Sequence, residues 1–224
     1  MERPYQRGVE ASSSPQTKDA FCGFHSSPLG PTVELNYWKS CWTLDEQICP
    51  CDVDFVDFLN KTEIQQKIIF HFGTGQHHIL GYKNLELVRP NEIVGITASR
   101  EEHEAYVQMI IANPLIAQYY KVFFADIYTL TPGILPTFDV VTLFHLCEYH
   151  SGANRAYTQT DDRRLLRIFV EKLRPQGLLL LYRGSQAYSK AEPLAEVLVS
   201  DGELRKEQEY KSLDIYRKPA DGGH

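Results

Sequence analysis

Short apolar runs alternate with longer amphipathic segments along most of this 224-residue chain, and this alternation constrains its fold more than any other feature. The apolar runs have the length of buried strands, and the segments between them carry apolar residues at helical spacing. The predicted strands are residues 67–72, 92–97, 119–125, 138–144 and 178–182. Strands that alternate with helices form a parallel sheet with helices on both faces. The sequence therefore predicts an α/β protein with a doubly wound sheet.

The C-terminal part departs from this alternation. Residues 203–210 and 213–217 are two strand-like segments separated by a very short turn. They must pair antiparallel, because a parallel pair needs a crossover of a dozen or more residues. We therefore expect a mainly parallel, seven-stranded sheet in which residues 213–217 form one antiparallel strand.

Helix boundaries are marked by capping residues. Ser99 is followed three residues later by Glu102, a spacing typical of a capping box in which each side chain bonds the other residue's backbone. Asp161 is predicted to cap a second helix. Further helices are expected at residues 76–87 and near residues 191–199.

We divide the chain into four segments. Residues 1–30 contain two Ser-Pro steps and are expected to form a flexible arm. Residues 31–62 are rich in aromatic residues and are predicted to form a helical cap that is interrupted at Pro50. Residues 63–219 form the α/β domain, and residues 220–224 are a C-terminal tail.

Three aromatic residues of the predicted cap are spaced for one face of a helix: Tyr37, Trp38 and Trp42. They either close over a bound ligand or pack against the sheet.

The first predicted strand leads directly into Gly73-Thr74-Gly75. In α/β proteins, the backbone at such a strand-to-helix junction faces a nucleotide-like ligand. Glycine suits this position because a side chain would block close approach to the main chain. A Gly-x-Gly pair alone is a weak indication, but its place in the alternation makes this loop a candidate cofactor site.

Four motifs in this order resemble the class I S-adenosylmethionine-dependent methyltransferase family over residues 63–219. They are His71-Phe-Gly-Thr-Gly75, Asp126 after the third strand, the block of residues 138–150, and Leu173-Arg-Pro-Gln-Gly177. The resemblance implies a methyltransferase-like Rossmann fold, S-adenosylmethionine as the cofactor, and an enzyme that transfers a methyl group to a small molecule.

The resemblance also implies which residues form the site. The residues expected to bind the cofactor are His71, Gly73, Thr74, Gly75, Thr97, Ala98, Asp126, Ile127 and Phe144. The catalytic candidates are His145, Glu148 and His150, which follow the fourth strand. A hydroxyl acceptor needs a base whose pKa is near the working pH, which favours His145, although this residue could instead pack against the cofactor. Tyr182 and Arg183 end the fifth strand and either line the acceptor pocket or are solvated.

Three positions depart from the family pattern. His71 stands where the family usually has an acidic residue, and His77 replaces a third glycine. Thr97 occupies the place of the acidic residue that binds the ribose hydroxyls. Because Thr97 offers a single hydroxyl, cofactor binding is expected to be weaker by about 1–3 kcal/mol, and Thr97→Asp is expected to tighten it.

These departures keep two alternatives open. The first is a catalytically inactive methyltransferase-like protein that acts as a binding or regulatory partner. The second is a nicotinamide-dependent oxidoreductase, which the missing third glycine and the terminal strand pair disfavour.

Composition narrows the range of partners. A net charge of −6 gives no electrostatic reason to expect nucleic acid. The chain has no signal-like N-terminus and no apolar run of membrane-spanning length, so we expect a cytoplasmic protein without a membrane partner. Five scattered cysteines fit reduced thiols in that compartment. A homodimer is compatible with the sequence.

No metal site is expected. Adjacent His77 and His78 point in different directions, so they do not join His71 around one ion. Instead, His71 is expected to replace the missing carboxylate by hydrogen bonding. Cys49-Pro50-Cys51 lacks a second cysteine pair at matching spacing and is interpreted as two reduced thiols.

Overall fold

The computed structural model describes residues 42–220, and seven strands in this part of the chain form one sheet. The strands are β1 (Ile68–Phe72), β2 (Glu92–Thr97), β3 (Tyr120–Phe124), β4 (Phe138–Leu143), β5 (Leu173–Tyr182), β6 (Arg205–Tyr210) and β7 (Leu213–Arg217). Their order in the sheet is β3-β2-β1-β4-β5-β7-β6. Strands β1 to β5 pair in parallel, whereas β7 runs antiparallel to both β5 and β6. The predicted sheet, with residues 213–217 as its antiparallel strand, is confirmed.

Helices cover both faces of this sheet. They are α1 (Cys51–Lys61), α2 (Ile79–Asn84), α3 (Arg100–Ala112), α4 (Ile116–Tyr119), α5 (Asp162–Lys172) and α6 (Tyr188–Ser200). Successive residues of a strand point to opposite faces, so Ile69 packs with the apolar residues of α1 to α4 and Phe70 with those of α5 and α6. The doubly wound arrangement is therefore confirmed.

Helix α2 is shorter than the sequence predicts. It begins at Ile79 rather than at residue 76, because His78 adopts a left-handed backbone with φ of 43°. The starts of α3 and α5 agree more closely, whereas α6 begins at Tyr188, three residues before its predicted start at 191. Pro50 immediately precedes α1, and the side chain of Asp161 accepts a hydrogen bond from the Arg164 backbone at 2.8 Å.

Strand β5 begins earlier than predicted. Leu173 already pairs with Phe138, so residues 175–177, which precede the predicted strand, form an irregularity within β5. Gln176 adopts a positive φ of 67° at this point, and the register shifts before Leu178. Proline also contributes, since Pro175 has no backbone N–H to donate to the neighbouring strand.

Part of the predicted domain organisation falls outside the described residues: the arm at 1–30, Tyr37 and Trp38 of the cap, and residues 221–224. Within the described part, Phe55 and Phe58 of α1 are buried in the core on one face of the sheet. None of the helices described in residues 42–220 is both long and apolar enough to cross a membrane.

The strand order creates a crevice at one edge of the sheet. The chain leaves β1 towards β2 and β3, and it then returns to the other side of β1 as β4. At this reversal the loops after β1 and β4 diverge to opposite faces, which leaves a space at the carboxyl ends of the strands where α/β proteins bind ligands.

Candidate active site

A cavity of about 280 Å³ occupies this crevice. Its volume is near the lower end of the range of roughly 300–1,000 Å³ that is typical of small-molecule sites. Most of the residues that the sequence singled out line it: Gly73, Gly75, Thr97, Ala98, Asp126, Ile127, His145, Glu148 and Tyr182. The loops after β1, β2, β3, β4 and β5 therefore converge on one space.

The glycine loop packs closely against two imidazole rings. Gly73 and Gly75 have positive φ angles of 95° and 57°, which side-chain-bearing residues rarely adopt. A Cβ atom at Gly73 would lie 2.5 Å from Cδ2 of His145, and one at Gly75 would lie 2.5 Å from Nε2 of His77. Glycine is required at both positions by the backbone and by these rings.

A carboxylate from α3 lies beside the end of β2. It belongs to Glu102, which the sequence analysis assigned only to helix capping. Oε2 of Glu102 accepts a hydrogen bond from the Thr97 hydroxyl at 2.6 Å, and Oε1 accepts one from the Trp42 backbone at 3.3 Å. The Ser99 side chain caps α3 as predicted, but Glu102 does not complete the capping box because Thr97 accepts from the Ser99 backbone instead. Burial raises the pKa of Glu102, and its two hydrogen bonds oppose that rise. Since Glu102 and Thr97 both line the cavity, a carboxylate borders the cavity beside β2.

Asp126 is held firmly at the end of β3. Its Oδ1 atom accepts from the Tyr128 backbone at 2.9 Å. Its Oδ2 atom accepts from the Asn154 side chain at 2.6 Å and from the Tyr157 hydroxyl. These three donors fix the carboxylate in one orientation at the cavity wall.

A hydrogen-bonded chain follows β4. Nδ1 of His145 lies 3.1 Å from Oε1 of Glu148, which also accepts from the Ser185 hydroxyl at 2.6 Å. Burial alone would raise the pKa of Glu148, but the hydrogen bonds from His145 and Ser185 lower it. Glu148 therefore remains an ionised partner that orients the imidazole ring.

Two cysteines at the start of α1 also reach the cavity. The sulfur atoms of Cys49 and Cys51 are 3.4 Å apart. The hydrogen bond from Cys51 lowers the pKa of Cys49 to about 4, with burial opposing and His145 assisting. Burial lowers the pKa of His145, but Cys49 and Glu148 outweigh it and raise the value to about 10. The two shifts have opposite directions, so the thiolate form of Cys49 and the imidazolium form of His145 stabilise each other.

A buried acid from α1 faces the histidines of the glycine loop. The carboxylate oxygens of Asp52 lie 3.5 Å from Nε2 of His71 and 3.5 Å from Nε2 of His77. Burial raises the pKa of Asp52 to about 8 and lowers that of His71 to about 3. At neutral pH both groups are mainly uncharged, so this contact is polar rather than an ion pair.

Some of the residues predicted for the site do not line the cavity. They are His71, Thr74, Phe144, His150 and Arg183. His71 lies behind the cavity wall and makes a 2.8 Å hydrogen bond through Nδ1 with the Thr142 hydroxyl. Thr74 is buried, and its methyl group occupies the space beside Gly95 of β2.

The side chains of Phe144, His150 and Arg183 make contacts outside the cavity. Phe144 packs edge-on against Phe55, with ring centroids 5.8 Å apart, in the core beneath the site. The ring of His150 packs 5.1 Å from that of Tyr128. Arg183 pairs with Glu209 at 2.6 Å on the surface.

Several cavity residues were missed by sequence reasoning. The main ones are Cys49, Cys51, Asp52, Glu102, Tyr149 and Ser185. The helix dipole favours acidic residues in the first turn of any helix, so the position of Asp52 in the sequence did not indicate a role in the site. The capping-box spacing did single out Glu102, but for another role.

No protein-family model and no curated protein matches this chain. Its fold, however, matches many solved structures. The N-methyltransferase NodS from Bradyrhizobium japonicum WM9, in complex with S-adenosyl-L-homocysteine, is 14% identical with a TM-score of 0.52, over 78% of this chain and 90% of its own. A candidate O-methyltransferase from Klebsiella pneumoniae is 13% identical with a TM-score of 0.52, over 80% and 84%. A candidate rRNA-methylase from Clostridium thermocellum is 10% identical with a TM-score of 0.51, over 79% and 100%.

These similarities confirm the predicted fold, which is that of the class I S-adenosylmethionine-dependent methyltransferases. The three proteins act on different kinds of acceptor by name, and identities this low establish the fold alone. The chemistry of this chain has to follow from its cavity.

Proposed function

We propose that this protein is an enzyme that transfers a methyl group from S-adenosylmethionine to a small-molecule acceptor. The observation that carries the proposal is the cavity at the reversal between β1 and β4, bordered by the glycine loop and by carboxylates beside β2 and after β3. A ligand with an amino acid, a ribose and a base needs these features in this order along the sheet edge.

The cofactor would lie across the ends of β1, β2 and β3. Gly73 and Gly75 allow the methionine part to approach the backbone. Thr97 and Ala98 lie where the ribose is expected, and the carboxylate of Glu102 offers the acceptor that Thr97 lacks. Asp126 and Ile127 would contact the adenine.

Three of the residues predicted to bind the cofactor lie behind the cavity wall and would support the residues that line it. His71 contacts Asp52, which lines the cavity, and Thr74 fills the space under the loop. Phe144 packs against Phe55 and His71. In this proposal they position the loop rather than touch the ligand.

The acceptor would occupy the part of the cavity bordered by His145, Glu148 and Tyr182. The sulfonium cofactor is already activated, so placing the acceptor in line with the methyl group supplies most of the acceleration. His145 remains the preferred base, but its raised pKa favours the protonated ring at neutral pH, so it can accept a proton from the acceptor only after losing its own. An acceptor that arrives as a neutral amine needs no such step.

Calorimetric titration of the purified full chain with S-adenosylhomocysteine and, separately, with NADH tests the proposal. Binding of S-adenosylhomocysteine alone supports it, and binding of NADH alone would favour an oxidoreductase. Release of S-adenosylhomocysteine from S-adenosylmethionine is then measured over a panel of amines, phenols, thiols and structured RNA. Cofactor binding with turnover on RNA only would overturn the small-molecule acceptor, and binding without any turnover would favour a regulatory partner.

A further inference from the structure

We propose that Cys49, Cys51 and His145 bind a zinc ion in the wall of the cavity. One ligand atom from each residue lies within 4.8 Å of the other two, and the sulfur atoms are 3.4 Å apart. A tetrahedral site with Zn–S of about 2.3 Å and Zn–N of about 2.0 Å separates its ligand atoms by roughly 3.3–3.8 Å. The three groups are therefore close to the spacing that an ion requires.

The orientation of His145 matches that of a zinc ligand. Its Nδ1 atom is hydrogen-bonded to Glu148, and Glu148 is held in turn by Ser185. Zinc-binding histidines commonly donate one ring N–H to a carboxylate, which fixes the ring and directs the second nitrogen at the metal. The same arrangement leaves Nε2 of His145 as the ligand atom.

The two cysteines are placed by the beginning of α1. Pro50 precedes the helix, so the chain turns between Cys49 and Cys51 and brings the two sulfur atoms to the same side. Cys51 is 2% exposed, which protects its sulfur from bulk water. Two thiolates and an imidazole favour zinc or Cu(I) over magnesium and calcium, which prefer oxygen ligands.

All three residues line the cavity. Three protein ligands with a fourth position open to a cavity are the pattern of a catalytic zinc site, whereas structural sites have four protein ligands. An ion at this position would engage His145 and so remove it as a base. The metal itself would then lower the pKa of an acceptor bound at the fourth position.

This zinc site is independent of the proposed cofactor binding, and its test uses the full chain under reducing conditions. Metal-stripped protein is titrated with Zn²⁺ in competition with a chromogenic chelator, and with Co²⁺ to record the visible bands of a tetrahedral thiolate site. We expect about one ion per chain and a rise in the unfolding temperature when zinc is restored. Cys51→Ser and His145→Gln should each weaken zinc binding by more than the roughly 10–100-fold that loss of an outer partner such as Glu148 costs.

Cys147→Ser is the matched control, because Cys147 is half-buried near the site but is not part of the cluster. A Cys22→Ser/Cys41→Ser variant excludes binding by the other two cysteines of the chain. Substoichiometric zinc on the reduced wild type, or equal losses in Cys147→Ser and Cys51→Ser, would overturn the site. If a ligand variant misfolds, the wild-type Co²⁺ spectrum decides, since a spectrum without thiolate ligation also overturns it. S-adenosylhomocysteine is titrated into the metal-free protein separately, so failure of either proposal is seen without the other.

Discussion

Replacing Glu102 with glutamine is expected to weaken S-adenosylhomocysteine binding by about 10- to 150-fold. The carboxylate borders the cavity beside Thr97, at the strand end where the ribose is proposed to lie. Hydrogen bonds to a charged acceptor contribute about 1.5–3 kcal/mol, roughly twice as much as neutral ones. Loss of that amount corresponds to the stated range in affinity.

The same substitution should leave the fold intact. Glutamine keeps one carbonyl oxygen that can accept from Trp42, and its NH₂ group can donate to the Thr97 hydroxyl. Burial already disfavours the charge on Glu102, as its raised pKa indicates, so a neutral side chain of the same shape costs little stability. Thermal unfolding should therefore change much less than binding.

The assay is calorimetric titration with S-adenosylhomocysteine at neutral pH, and Glu104→Gln is the matched control. Glu104 lies on the same helix, but it is exposed and pairs with Arg100 at 2.7 Å. Such surface pairs contribute about 0–1 kcal/mol, and this one is remote from the cavity. Equal affinities of Glu102→Gln and the wild type would refute the assignment of Glu102 to the ribose.

The contact between Glu102 and Thr97 also reverses an expectation from the sequence. Thr97→Asp was expected to tighten binding by restoring the usual acidic residue. In the structure this change places a second carboxylate against Glu102, and two adjacent carboxylates cannot both ionise easily. The single variant should therefore bind no more tightly than the wild type, whereas Thr97→Asp should recover affinity in the Glu102→Gln background. Tighter binding by the single variant would mean that Glu102 does not serve the ligand.

Three further changes test other parts of the site. Gly73→Val should abolish S-adenosylhomocysteine binding and lower the free energy of unfolding by about 1–3 kcal/mol, because φ is 95° and His145 occupies the Cβ position; unchanged affinity would remove the loop from the site. His145→Gln should lower turnover by roughly 10²–10⁴-fold with little effect on cofactor affinity, whereas a fall in affinity alone would mean that the ring only packs against the cofactor. Burial lowers the pKa of His78 from 6.5 to about 4. As the pH falls between these two values, the unfolded chain binds a proton that the folded chain does not, so the free energy of unfolding decreases. His78→Asn should make the decrease in the free energy of unfolding between pH 7 and pH 5 smaller by about 2 kcal/mol, as measured by urea unfolding. The same decrease in the variant and the wild type would mean that His78 does not cause it.

Local patterns were sufficient to predict the fold. Strand β2 has the bounds that its apolar run predicts. Asp161 caps α5 because its side chain accepts a hydrogen bond from the Arg164 backbone. The antiparallel β7 followed from chain geometry alone, since so short a turn allows no crossover. Errors occurred where one residue adopts an unusual backbone, as at His78 before α2 and Gln176 within β5. Side-chain type gives little warning of a positive φ at a non-glycine residue.

The site was less predictable because its contacts join distant parts of the chain. The loop positions followed from strand order, which is why Gly73, Asp126 and His145 were found. The partners of these residues were not found, because nothing near His145 in the sequence indicates that Cys49 packs against it. A cysteine pair separated by one residue is a weak indication of a metal without a third candidate ligand, and only tertiary structure brings His145 close to the pair.

The departures from the family pattern each face an acidic residue from another element. Thr97 stands where a carboxylate is usual, and Glu102 of α3 lies 2.6 Å from its hydroxyl. His71 stands where a second carboxylate is usual, and Asp52 of α1 lies 3.5 Å from its ring. The Thr97 hydroxyl is hydrogen-bonded to its acid, whereas Nε2 of His71 lies near Asp52 without forming a hydrogen bond.

The segment before α1 joins these substitutions into one structure. The Trp42 backbone donates to Glu102, and its carbonyl accepts from the Gln76 backbone at 2.7 Å in the glycine loop. A few residues later, Asp52 contacts both His71 and His77. This segment thus bridges the loops after β1 and β2, so the altered loop residues are held by groups from the N-terminal side. The altered motif is therefore better explained by acidic groups relocated around a retained cavity than by loss of the site, which favours an enzyme over an inactive relative.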